Sequence, residues 1–581
     1  MPWAIRSFMP SIKIVDLNNS EIKNSLKLAA QLMELHGENP FKTRSYVSAA
    51  DVVGGLDAEL STLSTDEILA IDGIGKGMAT NISGLLERGS FDNLDKYMEM
   101  TPAGVVEMLG ISGFGPKKVA VLWQEGGAET LEQLMELCLQ GKVASLKGFA
   151  EKSQETLKAA VAFLISNQYK EKYGNIDQAI ANLVSAIDGL KEVQSCSESG
   201  QMRRRMEVID LVEIVVAAED LDALRTSLNA LQVLSEEEKK SGPTTWYGRH
   251  VGIKAPLKLH LTSPDKFVQR LVETTGSVRH INMPIADQVT IKSSLIRPFE
   301  SEEELYQSLG MKYIVPELRE GLKEIEWAKN DQIPALIEMS DLKGILHNHS
   351  TYSDGKHTLR QMAEHCQQLG YEYLGISDHS QTAVYAGGLQ DADVARQQEE
   401  IKQLNEELAP FKIFSGIESD ILADGSLDYS EEILSSFDFI VASVHSGLNM
   451  DIKKATDRLL KAIYNPHTTI LGHMTGRLLV QREGYPVDHK AIIEACAETG
   501  VVIEINASPY RLDMDWRWID YALEKGVKLS INPDAHRMDG YQDMYYGLQV
   551  ARKGGLTAKD NLNSMSLPEI TAFFEQKKKK K

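Results

Sequence analysis

The stretch GILHNHSTYSDGKHTLRQM, residues 344–362, decides how this chain is read. A short apolar run ends on His347 and His349, two residues apart, and Asp354 follows in the next loop. Side chains alternate along a strand, so the two imidazoles share one face. Six more runs of the same kind come after it: YEYLGISDH, FKIFSGIE, DFIVASVH, TTILGH, VVIEIN and VKLSINPDAH, with helical stretches between them. Buried parallel strands read as continuous apolar runs of this sort. Seven of them predict an α/β fold, a distorted seven-stranded (β/α) barrel related to the eight-stranded one. Such a barrel gathers its chemistry at the C-terminal ends of its strands.

Those ends carry the ligands. The first gives His347 and His349, with Asp354 beyond them; the second His379; the third Glu418; the fourth His445; the fifth His473; the seventh Asp534 and His536. The sixth ends in Asn506, a weak ligand. Ten of the fourteen histidines lie between His347 and His536. His357, His365, His467 and His489 fall off the pattern and are expected to be structural. A set mixing imidazole with carboxylate favours Zn²⁺, Mn²⁺ or Fe²⁺ over Mg²⁺ or Ca²⁺. Nine side chains suffice for two or three divalent ions, which together can activate water and clamp a phosphate. Glu418 is expected to bridge ions and, with Asp354 and His379, to be catalytic. Arg477 and Arg511 lie just past strands, where a guanidinium can grip phosphate. The ligand pattern resembles the PHP (polymerase and histidinol phosphatase) domain, over about residues 335–575, and matches it at all nine positions.

Upstream, residues from about 20 to 170 read as helices. One turn recurs three times there: IDGIGKGMATNI (71–82), ISGFGPKKVAVL (111–122) and LKGFAEKSQETL (146–157). Gly73 and Gly75, Gly113 and Gly115, and Gly148 allow a tight turn; the third copy has Ala150 at the second glycine position. The helix that follows each turn offers free N–H groups and its positive dipole end, a cradle for phosphate that reads no bases. Lys76, Lys117, Lys118 and Lys152 flank the turns. The repeat resembles the helix-hairpin-helix motif and, with NPFKTRSYVSAADVV (39–53), the N-terminal domain of family X DNA polymerases. That family's eukaryotic members often carry a Schiff-base lysine where this chain has Asn81, so no lyase activity is carried over.

Between about 175 and 315, SGQMRRRMEVIDLVEIVVAA (199–218) resembles the same family's nucleotidyltransferase signature. Gly200, Arg203, Arg204 and Glu207 remain, but Gln201 stands for the signature's serine, and the Asp-x-Asp has become Leu211 and Glu213. Lys258 occupies the place of the third aspartate. Two-metal phosphoryl transfer needs carboxylates to hold its ions. The α+β palm and thumb are therefore expected to keep their fold without their chemistry.

Residues 1–172 are read as an all-α DNA-binding domain, 173–315 as the degenerate palm and thumb, 316–337 as a linker, 338–575 as the barrel and 576–581 as a solvated lysine tail. The whole order resembles bacterial family X DNA polymerases with a C-terminal PHP domain. That resemblance implies 3′-to-5′ exonuclease or other 3′-end processing in DNA repair, usually with manganese, on gapped or nicked DNA. A gap-filling polymerase with PHP proofreading and a non-catalytic DNA-binding scaffold are the alternatives. The net charge of −21 excludes a uniformly basic surface, so DNA contact must come from local patches. Four scattered cysteines suit a reducing cytoplasm, and neither a signal peptide nor a membrane span is expected.

Overall fold

The computed structural model describes residues 17–56, 58–111 and 113–579. The chain forms two compact units, Met1–Gln168 and Tyr169–Lys581. In the first, helices α1 (Asn19–Leu35) and α2 (Pro40–Gly55) pack together, and Asn18 caps α1 in a capping box with Glu21. Gly73, Gly113 and Gly148 take φ of +85°, +81° and +84°. Gly75, Gly115 and Ala150 then stand as extended N-caps of α3 (Lys76–Arg88), α4 (Pro116–Gln124) and α5 (Glu151–Asn167). The three copies thus share one backbone path, and the third tolerates alanine because only the first glycine needs a left-handed φ.

The second unit begins a few residues before the expected boundary, because Glu171–Lys172 pairs antiparallel with Val208–Ile209. Its palm is a five-stranded sheet of β1 (Ser195–Ser199), β2 (Val212–Ala217), β3 (Leu234–Glu236), β4 (Thr245–His250) and β5 (Leu257–Thr262), in the order β1-β2-β5-β4-β3. Residues 316–337, expected to be a linker, are folded instead. Leu318, Ile325 and Ala328 join the thumb core, and Ile337 joins the barrel core. Arg319, fully buried, pairs with Glu302.

The barrel strands are β6 (Gly344–Ile345), β7 (Tyr373–Ile376), β8 (Lys412–Asp420), β9 (Phe439–Ser443), β10 (Ile470–Leu471), β11 (Val502–Asn506) and β12 (Leu529–Asn532). They pair in chain order, all parallel, and a bridge between Asn348 and Ala535 brings the first strand end to the last. Alternation sorts the strand residues into two clusters. Ile413, Ile417, Ile440, Ala442, Ile503 and Ile531 join the larger core with the flanking helices. Tyr373, Phe414, Phe439, Val441, Ile470 and Val502 form the other, together with Ile570 and Phe574 of the last helix, Leu567–Lys579. Phe574 stacks on Phe439 at 5.3 Å between ring centroids.

Residues 577–579, expected in a solvated tail, therefore continue a packed helix, and Lys578 pairs with Asp438 at 2.8 Å. Lys580 and Lys581 lie outside the described residues. Glu418 is four residues beyond Phe414 and Glu504 two beyond Val502, so both face the same side as this inner apolar layer.

Candidate metal centre

All the candidate ligands but Asp354, which lies in the loop after the first strand, stand at or just past the end of an apolar strand, so the core fixes the backbone that holds them at the barrel mouth. The structure brings all nine predicted ligands together. Three sets each offer ligand atoms within 4.8 Å of one another: His349, Asp354, His379 and His536; His347, His349 and Asp534; and His379, Glu418 and His445. His473 joins through Nε2, 3.1 Å from Glu418 Oε1. Glu418, 1% exposed, is the hub: its oxygens lie 3.0 Å from His379 Nδ1, 3.2 Å from His445 Nε2, 3.3 Å from His347 Nε2 and 3.6 Å from His349 Nε2. His347 and Asp534 have φ of +64° and +54°, conformations that non-glycine residues adopt reluctantly and that cluster at functional sites.

The donor set fits divalent metal. Ligand atoms about 2.0–2.2 Å from one ion, at tetrahedral or octahedral angles, stand about 3.0–3.5 Å from each other, the spacing found here. Several of these contacts are not aligned as hydrogen bonds. His347 Nε2, His349 Nδ1, His379 Nδ1, His473 Nδ1 and Glu418 Oε2 are buried without a hydrogen-bond partner, and burial of such orphaned atoms calls for an explanation. An ion explains those at the mouth.

The electrostatics divide the histidines into two kinds. Burial, then the neighbouring His536 and His379, push His349 down to about 3, so it stands neutral and ready to ligate. Burial opposes charge on His445, but Glu418 and Asp420 prevail and raise it to about 10. His536, opposed by burial in the same way, is raised to about 9 by Asp354 and Asp534. Burial also opposes charge on Glu418, yet His445, His347 and His379 hold its carboxyl well below the usual range.

Two carboxylates that the sequence reading passed over hold the ligands in place. Glu504, fully buried, accepts from His347 Nδ1 at 2.6 Å and from the amides of Asn506 at 2.9 Å and Asn532 at 3.2 Å. Asp420 pairs with His445 Nδ1 and accepts from Thr382 Oγ1 at 3.0 Å. Such partners fix the imidazole tautomer and ring orientation. The signal was present: a lone acid within VVIEIN, and a second acid two residues after Glu418 on the same strand.

The other predicted residues are placed differently. The guanidinium of Arg477 is engaged by Asp515 at 2.7 Å, by the Arg511 carbonyl at 3.0 Å and by the Leu512 carbonyl. Arg511 is freer, its Nε 3.9 Å from Asp534 Oδ2. His365 stacks on Tyr541 and His489 on Trp518, away from the ligand sets.

In the palm, Glu213 and Lys258 are cross-strand partners, Glu213 Oε1 lies 2.9 Å from His260 Nε2, and Gln201 accepts from the Asp210 and Leu211 amides. Among the described residues, no group of three or more metal-capable side chains lies in the palm. Arg204 bonds Glu320 and the Thr275 carbonyl, and Glu207 accepts from Trp516 and Arg517 of the barrel, so these retained residues brace the palm. In the helical unit, Lys76 and Lys152 are exposed, Lys117 lies 3.8 Å from Glu34, and Lys118 donates to the Gly113 carbonyl at 3.3 Å. The helices at Gly75 and Gly115 have no side-chain cap, which leaves their first N–H groups open. Asn81 donates to the buried Tyr46 hydroxyl. No helix of the described residues is long and apolar enough to cross a membrane.

Comparison with known proteins agrees with this geometry. A PHP domain model matches residues 346–508 and a helix-hairpin-helix domain model residues 17–91. Asp534 and His536 lie beyond the first match and join the site through the fold. A protein of Clostridium acetobutylicum named a probable phosphatase is 28% identical over 207 residues, 33% of this chain and 78% of its own. One of Thermoanaerobacter, also named a probable phosphatase, is 27% identical over 252 residues, 41% of this chain and 98% of its own. The DNA polymerase/3′-5′ exonuclease PolX of Bacillus subtilis is 33% identical over 576 residues, 96% of this chain and all of its own. With hairpin domain, palm and PHP barrel in the same order, the chain belongs to the bacterial family X DNA polymerases that end in a PHP domain.

Proposed function

We propose that this protein is a metal-dependent phosphoesterase that removes nucleotides or phosphate from DNA 3′ ends, a 3′-to-5′ exonuclease in repair, and that it no longer polymerises. The observation that carries the reading is the contrast between its two sites: nine convergent ligands with orphaned donor atoms at the barrel mouth, and a palm whose Glu213 is tied to His260 and faced by Lys258.

His347, His349, Asp354, His379, Glu418, His445, His473, Asp534 and His536 would hold two or three ions, Mn²⁺ or Zn²⁺ with Fe²⁺ as the alternative. Such ions would supply Lewis acidity toward water and toward the phosphate. Glu418 keeps its charge and has two oxygens to share, which suits it to bridge. Asp354 stands at the open side of the mouth with the buried His379 3.6 Å from it, and Arg511 steadies the phosphate while Arg477 braces the 511–515 loop. The hairpins, with Lys76, Lys117, Lys118 and Lys152, bind the backbone of gapped or nicked DNA without reading sequence. In this reading residues 1–172 bind DNA, 173–315 are a palm and thumb kept for their fold, and 338–575 do the chemistry. The cytoplasm is the compartment this work requires.

The test is labelled gapped DNA with Mn²⁺, with and without deoxynucleotides. Shortening in both cases is the expected outcome. Template-dependent extension that survives His347→Ala would overturn the loss of polymerisation. No change at all would favour a scaffold.

A further inference from the structure

The loop SQTAVYAGGLQ (380–390) leaves β7 just after His379 and carries Val384 and Tyr385 into solvent beside the candidate metal centre. Val384 is 81% exposed and Tyr385 72%, while their neighbours Ala383 and Ala386 are buried. The turn is firmly held. Thr382 donates its N–H to Asp428 Oδ2 at 2.7 Å and its hydroxyl to Asp420 Oδ2 at 3.0 Å, and Tyr429 donates to the Leu389 carbonyl at 2.5 Å. At Gly388 an added Cβ would lie 1.9 Å from the Ser380 carbonyl oxygen, so only glycine lets the loop close on itself. A rigid mount for two exposed apolar groups does not serve the core.

The Tyr385 ring centroid is 6.1 Å from that of His379, tilted by 58°. Its side chain offers solvent an uncharged aromatic ring, 72% exposed. A flat uncharged face at the edge of a phosphoesterase centre suits one part of a nucleotide, the base. Base–aromatic stacking is indifferent to sequence because every base has a π face.

We propose that the Val384–Tyr385 turn is the platform on which the base of the DNA 3′-terminal nucleotide stacks while its phosphodiester enters the barrel mouth. The proposal rests on the 3′-end nuclease reading and adds a substrate preference to it. A stacked terminal base has left its partner, so unpaired and frayed 3′ ends are taken before paired ones.

The experiment compares wild type, Tyr385→Ala and Tyr385→Phe in single turnover with Mn²⁺ on three substrates: a single strand, a blunt duplex, and a single strand whose 3′-terminal residue is abasic. Wild type should favour the single strand over the duplex. Tyr385→Ala should slow release from the single strand by roughly five- to a hundredfold, the range that loss of one stacked base spans. Tyr385→Phe should stay close to wild type, because the ring and not the hydroxyl is used. On the abasic end the gap between wild type and Tyr385→Ala should close.

A separate readout is binding of DNA with a terminal 2-aminopurine and an uncleavable phosphorothioate linkage. Wild type should quench the fluorophore and Tyr385→Ala should quench it much less. Equal rates for wild type and Tyr385→Ala on the single strand, equal damage from Tyr385→Phe, or an undiminished gap on the abasic end would each overturn the platform. Absence of release from every end by wild type would instead sink the nuclease reading, and the fluorescence experiment would still report on stacking.

Discussion

Glu504→Gln tests whether the metal centre depends on the carboxylate beneath it. The substitution keeps shape and volume at a fully buried position and removes one negative charge. It changes the partner of His347 Nδ1, now 2.6 Å from Glu504 Oε2, and sets a new NH₂ group against the Asn506 or Asn532 amide donors. Loss of such an outer partner lowers metal affinity by about 10–100-fold. At about 1.4 kcal/mol per tenfold, that is about 1.4–2.8 kcal/mol. Three donors lose their charged acceptor here, so the upper half of the range is expected. The assay is calorimetric titration of the metal-free protein with Mn²⁺ at pH 7, with circular dichroism to show that the fold is kept and DNA affinity as a control. DNA binding should be unchanged, because the proposed hairpin and Tyr385 contacts do not involve Glu504. Manganese affinity within about twofold of wild type in a folded variant, well short of the 10–100-fold expected, would refute the reasoning.

Alanine in place of His349 or Asp534 should lower metal content and cut 3′-end release by at least about a hundredfold, the scale set by loss of a well-placed charge-stabilising group, as read by metal analysis and single-turnover kinetics. Metal binding should strengthen with pH. His445 and His536 are raised to about 10 and about 9 in the metal-free protein and must lose their protons to ligate. The ion-pair stabilisation these raised histidines give the metal-free fold is complete below about 6.5 and lost as pH rises through 9–10. The rise in melting temperature on adding Mn²⁺ should therefore grow from pH 6.5 to 9, and a flat profile would count against ligation by these histidines. DNA affinity should fall steeply with salt regardless of sequence, and Lys76→Ala or Lys152→Ala should each lower the log–log salt slope by about 1, measured by fluorescence anisotropy.

The sequence by itself determined the parts of this protein that local rules write down. Parallel strands buried on both faces must be apolar throughout, so a histidine or acid at the ends of these runs was conspicuous, and the nine side chains that the barrel gathers at its mouth were legible as a set. The hairpin turns were legible because a left-handed φ demands Gly73, Gly113 and Gly148. The palm's departure from the two-metal signature was legible because Leu211 and Lys258 cannot hold a cation.

Tertiary structure decided what depends on residues distant in the chain. Glu504 looked like one acid in an apolar strand until the barrel set it under His347, 157 residues away. Arg477 looked free until Asp515 and the Arg511 and Leu512 carbonyls surrounded it. The run 316–337 looked like a linker because its apolar residues follow no single period; each is buried by a different neighbour, Leu318 in the thumb core and Ile337 in the barrel core. The lysine-rich end looked solvated because its charges are local, whereas Phe574, which ties that helix to the barrel, finds Phe439 and Phe414 only once the strands are assembled. The candidate ligands follow from strand periodicity, but the partners that orient them are set by which strands become neighbours, and no local pattern records that.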